Sequence, residues 1–130
     1  MLELVGKWKL IKKEGFSEFL KYTQVPWYQR KIAEYSSIFT DISKNDDGTF
    51  TKTVQSTFYN AEPEIIDFNN DKEIKTGTLK KRYTKLNDFI NCQVIGSIVS
   101  WDEKIYYQEP FMIVEYKWKN GSCKQYFSKS

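Results

Sequence analysis

GKWKLIKKEGFSEFLKYTQVPWYQRKIAEY, residues Gly6 to Tyr35, is the stretch on which the fold turns. It opens as a strand and then changes period. Within a first strand predicted over Leu4 to Lys13, Gly6, Trp8 and Leu10 fall on one face by two-residue alternation. From Gly15 to Tyr22 the spacing becomes helical, with Phe16, Phe19 and Leu20 at i, i+3 and i+4 forming one apolar stripe. Thr23, Gln24 and Val25 interrupt it, Pro26 suits a first helical turn, and Trp27 to Tyr35 continues as a second helix. No other helix is predicted.

Beyond the helices the chain reads as strands. Ser37 to Lys44 runs into the turn signal Asn45 to Gly48, and Thr49 to Phe58 follows, with Phe50, Lys52, Val54, Ser56 and Phe58 on one face. Tyr59 to Pro63 turns the chain into a short strand, Glu64 to Phe68, which Asn69 to Lys72 closes. Glu73 to Lys75, Thr78 to Leu86, Phe89 to Ile95 and Val99 to Glu109 come next, the last two turning at Gly96 and Ser97, with Trp101 to Lys104 a competing turn. Pro110 starts another turn. Phe111 to Trp118 and Ser122 to Lys129, joined through Lys119, Asn120 and Gly121, form the clearest hairpin. About nine strands at regular spacing after the helices predict a closed β fold, and closure removes exposed strand edges.

Composition agrees. A length of 130 residues suits one domain, 1–130. Aromatic content of 17% favours strands, and an apolar fraction of 40% is slightly low for a solid core but suits a partly wet interior. The net charge of +3 is too small for the concentrated basic stripe of nucleic-acid binders. A barrel binding single-stranded nucleic acid is the competing class, and would use Tyr83 and Tyr126 interleaved with Lys80, Lys81 and Arg82. With no histidine in the chain, Ser-His-Asp and Cys-His catalysis are excluded, as is a Cys/His zinc site, and no carboxylate pair stands out. The expectation is no enzyme, no metal and no cofactor. Cys92 and Cys123 form no CxxC pair. The N-terminal stretch has no long apolar region and no segment reaches membrane-spanning length, so a soluble, cytoplasmic protein with free thiols is expected.

Several motifs then converge. Gly6, Trp8, Lys9 and Leu10 resemble the opening G-x-W-K-L of the intracellular lipid-binding proteins, the family of fatty-acid-, retinol- and retinoic-acid-binding proteins. Phe16, Phe19, Leu20 and Lys21, then Val25, then Arg30, Lys31 and Ala33, resemble its helix–turn–helix lid. Ser56, Thr57, Phe58, Asn60 and Glu62 resemble the S-T-F-K-N-T-E segment near its portal, and Cys123 to Lys129 resembles its last strand. Asp67 to Glu109 matches poorly. Gly6 and Trp8 also open the secreted lipocalins, but the helices directly after strand one point away from that family. The resemblance implies an all-β, ten-stranded antiparallel up-and-down barrel with a two-helix lid, binding and transporting a fatty acid or related lipid internally as a monomer.

The head group of such a ligand is the informative part. Burying a tail of roughly fifteen carbons gains on the order of 12 kcal/mol, against association costs of ~4–15 kcal/mol. A buried carboxylate also wants a cationic partner, ideally arginine. Fatty-acid binders of the family commonly carry Arg-x-Tyr in the last strand, where this chain has Gln125 and Phe127. The Gln-x-Phe pattern resembles the retinol-binding branch and points to a neutral or alcohol-bearing lipid. The family's other interior arginine maps near Lys104 or Ile105. Lys52, Arg82 and Lys104 are the candidate interior cations, each alternatively a solvated strand side chain if the register shifts. Asn91 and Gln93 resemble interior polar positions, and Val54 and Ser56 are placed with the ligand wall. Phe58 resembles the portal aromatic; Phe16, Leu20, Val25 and Ala33 are expected to line the upper cavity. Lys21, Arg30 and Lys31 form a cationic lid surface suited to transient docking on anionic membranes, or else a solvated charged face.

Overall fold

The structure is a computed structural model that describes residues 1–57, 60–70 and 72–130. A 3-10 turn (Leu2–Leu4) leads into β1 (Gly6–Glu14), and α1 (Phe16–Tyr22) and α2 (Trp27–Glu34) follow. Nine more strands complete the chain: β2 (Ile38–Lys44), β3 (Phe50–Ser56), β4 (Glu64–Ile66), β5 (Ile74–Thr76), β6 (Leu79–Lys85), β7 (Ile90–Ile95), β8 (Ser100–Gln108), β9 (Phe111–Trp118) and β10 (Gly121–Lys129). They form one antiparallel sheet in the order β4-β3-β2-β1-β10-β9-β8-β7-β6-β5. The expected ten-stranded barrel with two helices between its first and second strands is therefore the observed fold.

Two-residue alternation decides what faces inward. Along β10, Cys123, Gln125 and Phe127 are buried while Lys124, Tyr126 and Ser128 are not. Trp8 is fully buried at the end of the barrel away from the helices, where its indole N–H donates to the Leu4 carbonyl at 2.8 Å. Around it pack Ile42, Phe50, Ile66, Ile90 and Met112. The competing turn at Trp101 to Lys104 does not form: β8 runs unbroken through it, and the chain turns at Gly96, whose N–H donates to the Val99 carbonyl at 2.8 Å.

β1 pairs with β2 only over Gly6–Lys9, but with β10 as far as Glu14, across a register shift between Leu10 and Lys12. The last turns of β1 thus leave β2, and the helices occupy the opening. Gly15 makes the strand-to-helix corner at φ +73°, the left-handed region, where a Cβ would lie 3.0 Å from the Ser122 carbonyl oxygen.

The sheet's two edges, β4 and β5, are neighbours in sequence, yet among the described residues no ladder joins them. Side chains from β4 and β6 cross this gap on the inside: the Lys81 ammonium lies 3.2 Å from a Glu64 carboxylate oxygen, and the Tyr83 hydroxyl donates to Glu64 at 2.9 Å.

Candidate functional site

The barrel encloses a cavity of about 400 Å³, within the range of roughly 300–1,000 Å³ typical of small-molecule sites. Its wall is mainly apolar. Phe16, Phe19 and Leu20 of α1 roof it, β2 and β3 contribute Ile38, Ile42 and Val54, and the far wall carries Ile105, Met112, Val114 and Phe127. Phe19 anchors the roof, with ring centroids 4.7 Å from Tyr116, 5.1 Å from Trp101 and 5.6 Å from Trp118. The amphipathic stripe of α1 lies on the cavity because its apolar side chains share one helical face.

Five charged residues line this apolar space: Lys52 from β3, Glu64 from β4, Lys81 from β6, Glu103 from β8, and Glu62, which is exposed, before β4. The Glu64 and Glu103 carboxylates are buried, each in a residue only 6% exposed. Glu64 accepts from Lys81 and from the Tyr83 hydroxyl; the Lys52 ammonium donates to the Tyr83 oxygen at 3.5 Å. Glu103 accepts from the Trp101 indole N–H at 2.9 Å. Opposite, the Tyr116 hydroxyl donates to Gln125 Oε1 at 3.0 Å. Every buried side-chain nitrogen and oxygen among the described residues is hydrogen-bonded.

These charges set the protonation of their neighbours. Burial works against the charge on Lys81, but the Glu103 and Glu64 carboxylates outweigh it and its pKa is raised. Burial holds the Tyr83 phenol well above its ordinary range, and the nearby charges of Glu64 and Glu103 add to this. Burial and the Glu103 carboxylate push the Cys92 thiol to about 12, so it stays protonated and is a poor nucleophile.

Several expected positions are corrected. Asn91 and Gln93 point outward, because Ile90, Cys92 and Val94 take the inner face of β7 at 4%, 0% and 0% exposure. Lys104 is on the outer face of β8, over the Phe89 ring at 4.5 Å, and the interior residue beside it is Glu103, of opposite charge. Arg82 is exposed, and Lys81 is the inward cation of that strand. Val25 and Ala33 do not line the cavity. Val25 sits in the link between helices with its carbonyl accepting from Arg30 at 2.9 Å, and the Ala33 carbonyl accepts from Lys13 at 3.0 Å. No residue of α2 is buried, so the roof is α1 alone. Phe16, Leu20, Val54, Gln125, Phe127 and Lys52 do line it, whereas Ser56 continues the Val54 face, half-buried, outside the lining set. Phe58 lies outside the described residues. On the lid, Lys21 pairs with Glu18 at 3.3 Å and Lys31 lies 6.0 Å from the Trp27 ring.

The competing nucleic-acid reading is not supported. Tyr83 and Lys81 face inward, which leaves only Tyr126, Lys80 and Arg82 outside and breaks up the row of external aromatic and basic groups. Sequence reasoning missed Glu64, Lys81, Tyr83 and Glu103. Their signal was alternation: Glu64 is in phase with Ile66, Lys81 with Tyr83, and Glu103 with Ile105.

A nearly closed ten-stranded barrel with a roofed, apolar, internally charged cavity defines a carrier of small hydrophobic molecules. Relatives specify the class. The fatty acid-binding protein homolog 8 of Caenorhabditis elegans is 32% identical over 106 residues, 81% of this chain and 72% of that one. The adipocyte fatty acid-binding protein of Pygoscelis papua is 30% identical over 102 residues, 78% of this chain and 74% of the other. The chain belongs to the fatty-acid-binding protein family. A fatty acid binding protein of Schistosoma mansoni, solved in complex with arachidonic acid, superposes with a TM-score of 0.87 over 100% of this chain and 98% of its own. At 16% identity that likeness speaks to the fold alone. No protein-family model matches the chain.

Proposed function

We propose that this protein binds and transports one long-chain fatty acid or related lipid in its internal cavity, as a non-enzymatic carrier. The observation that carries this reading is the apolar cavity of about 400 Å³ under the α1 roof. Its relatives are named for fatty-acid binding, and the Schistosoma mansoni neighbour holds arachidonic acid. The test is native mass spectrometry of the protein purified from its source, with extraction of whatever it carries. A bound lipid of one-to-one stoichiometry is the expected result; a ligand-free protein that also fails to bind added long-chain lipids would refute the reading.

The carrier is a single-domain monomer of the cytoplasm, where its two unpaired, buried cysteines stay reduced. It meets anionic membranes through the lid. Trp27, Tyr28 and Ile32 on α2 are 64%, 53% and 47% exposed, beside Lys31 and Arg30. Aromatic and basic groups on one short helix suit the interfacial layer of a bilayer. Charge reversal at Lys21 and Lys31 is expected to slow ligand transfer to anionic vesicles and to leave transfer to neutral vesicles alone; unchanged rates on both exclude lid docking.

A further inference from the structure

The charged groups lining the barrel leave no net positive charge. Among the described residues the cavity wall carries Lys52 and Lys81 against Glu64 and Glu103, and the exposed Glu62 adds a third carboxylate. Both interior cations are engaged. Lys81 is held by Glu64 at 3.2 Å and feels Glu103 as well. Lys52 donates to Tyr83, whose own proton goes to Glu64. An anion at Lys52 would therefore sit one side chain away from a buried carboxylate. Among the described residues no arginine lines the cavity, and the last strand presents Gln125 and Phe127.

We infer that the lipid this barrel carries has an uncharged, hydrogen-bonding head group, a hydroxyl, ester or amide, and that Glu64 and Glu103 select against free carboxylates. The inference rests on the carrier reading and narrows its ligand class from fatty acids and related lipids to the uncharged members alone. A carboxylate entering this interior leaves water for a chamber whose positive charge is already matched, so its desolvation is not recovered. A hydroxyl or amide needs only a donor and an acceptor, and the wall offers both through Lys52, Gln125 and the Glu64 carboxylate. Like-charge repulsion built into a site is the general means of rejecting a close analogue.

The test measures displacement of Nile red, a neutral probe, by oleate, oleyl alcohol, oleamide and oleylamine near pH 7. Oleyl alcohol and oleamide are expected to bind about ten-fold or more tightly than oleate, the scale of one poorly matched charge. Glu64→Gln and Glu103→Gln keep shape and an acceptor oxygen while removing a negative charge. Each should move the oleate-to-alcohol affinity ratio about ten-fold toward oleate, with the fold checked by circular dichroism. Glu115→Gln, on the outer face between Tyr106 and Lys124, should leave that ratio where it was. Oleate or oleylamine binding as tightly as the alcohol, or an unmoved ratio in both interior variants, overturns the inference and leaves the carrier reading standing. If none of the four displaces the probe, both fail.

Discussion

Glu64 concentrates the physics of this molecule in one side chain. It is 6% exposed and is held by a buried lysine and a buried phenol. Glu64→Ala would strand the Lys81 ammonium without its partner, and removing one member of a buried pair costs about 3–5 kcal/mol. Glu64→Gln keeps an acceptor for Tyr83 and is expected to cost less than half as much; urea denaturation of the two variants compares them directly. Protonation makes a second residue-scale prediction. The Lys81, Tyr83 and Cys92 pKa values are all raised on folding, so in the alkaline window the folded protein holds protons that the unfolded chain has lost. Their contribution is intact at neutral pH and falls away as pH rises from the ordinary thiol value of 9.0 toward about 12. Unfolding free energy should therefore decline from about pH 9 upward, and Cys92→Val should flatten the decline. Gln125 and Phe127 were readable on the inner face because the last hairpin alternates cleanly. Lys52 was readable too, by its phase with Phe50 and Val54; Glu64, Lys81 and Glu103 were not, since a buried Glu or Lys breaks the ordinary rule that charge faces water, and only pairing across strands permits it.

At the scale of elements, the two helices have separate tasks despite their shared place in the sequence. α1 is fixed by Phe19 within an aromatic cluster on β8 and β9, and by the Gly15 corner against β10. α2 has no fully buried residue, only Arg30 and Ala33 half-buried, and turns Trp27, Tyr28 and Ile32 to the solvent. Phe19→Ala should lower stability by about 3–5 kcal/mol and open the roof. Ile32→Ser should change stability by no more than ~0.5 kcal/mol. Thermal melts distinguish the two. Helical periodicity located both helices, but it reports which residues share a face and not what that face touches. Val25 and Ala33 were placed on the cavity by the family resemblance, and of the two helices only α1 lines it. Asn91, Gln93 and Lys104 went astray differently. On a strand a one-residue error of phase exchanges inside for outside, and β6 to β8 is where the family resemblance was weakest.

For the whole molecule, ligand and fold share one free-energy balance. A ligand that binds only the closed barrel adds about 2.7 kcal/mol of apparent stability at a hundred times its dissociation constant. Scanning calorimetry over a ligand titration should show a melting temperature that climbs continuously with free lipid; a constant one would mean the cavity is not its site. The incomplete ladder between β4 and β5 has its own consequence. A barrel left open along one seam retains two strand borders with unspent amide and carbonyl groups, the usual template for recruiting a foreign strand. Here each border strand is three residues long, too brief to hold a stranger in register, so brevity guards the fold against fibrillar self-association where full circular closure does not.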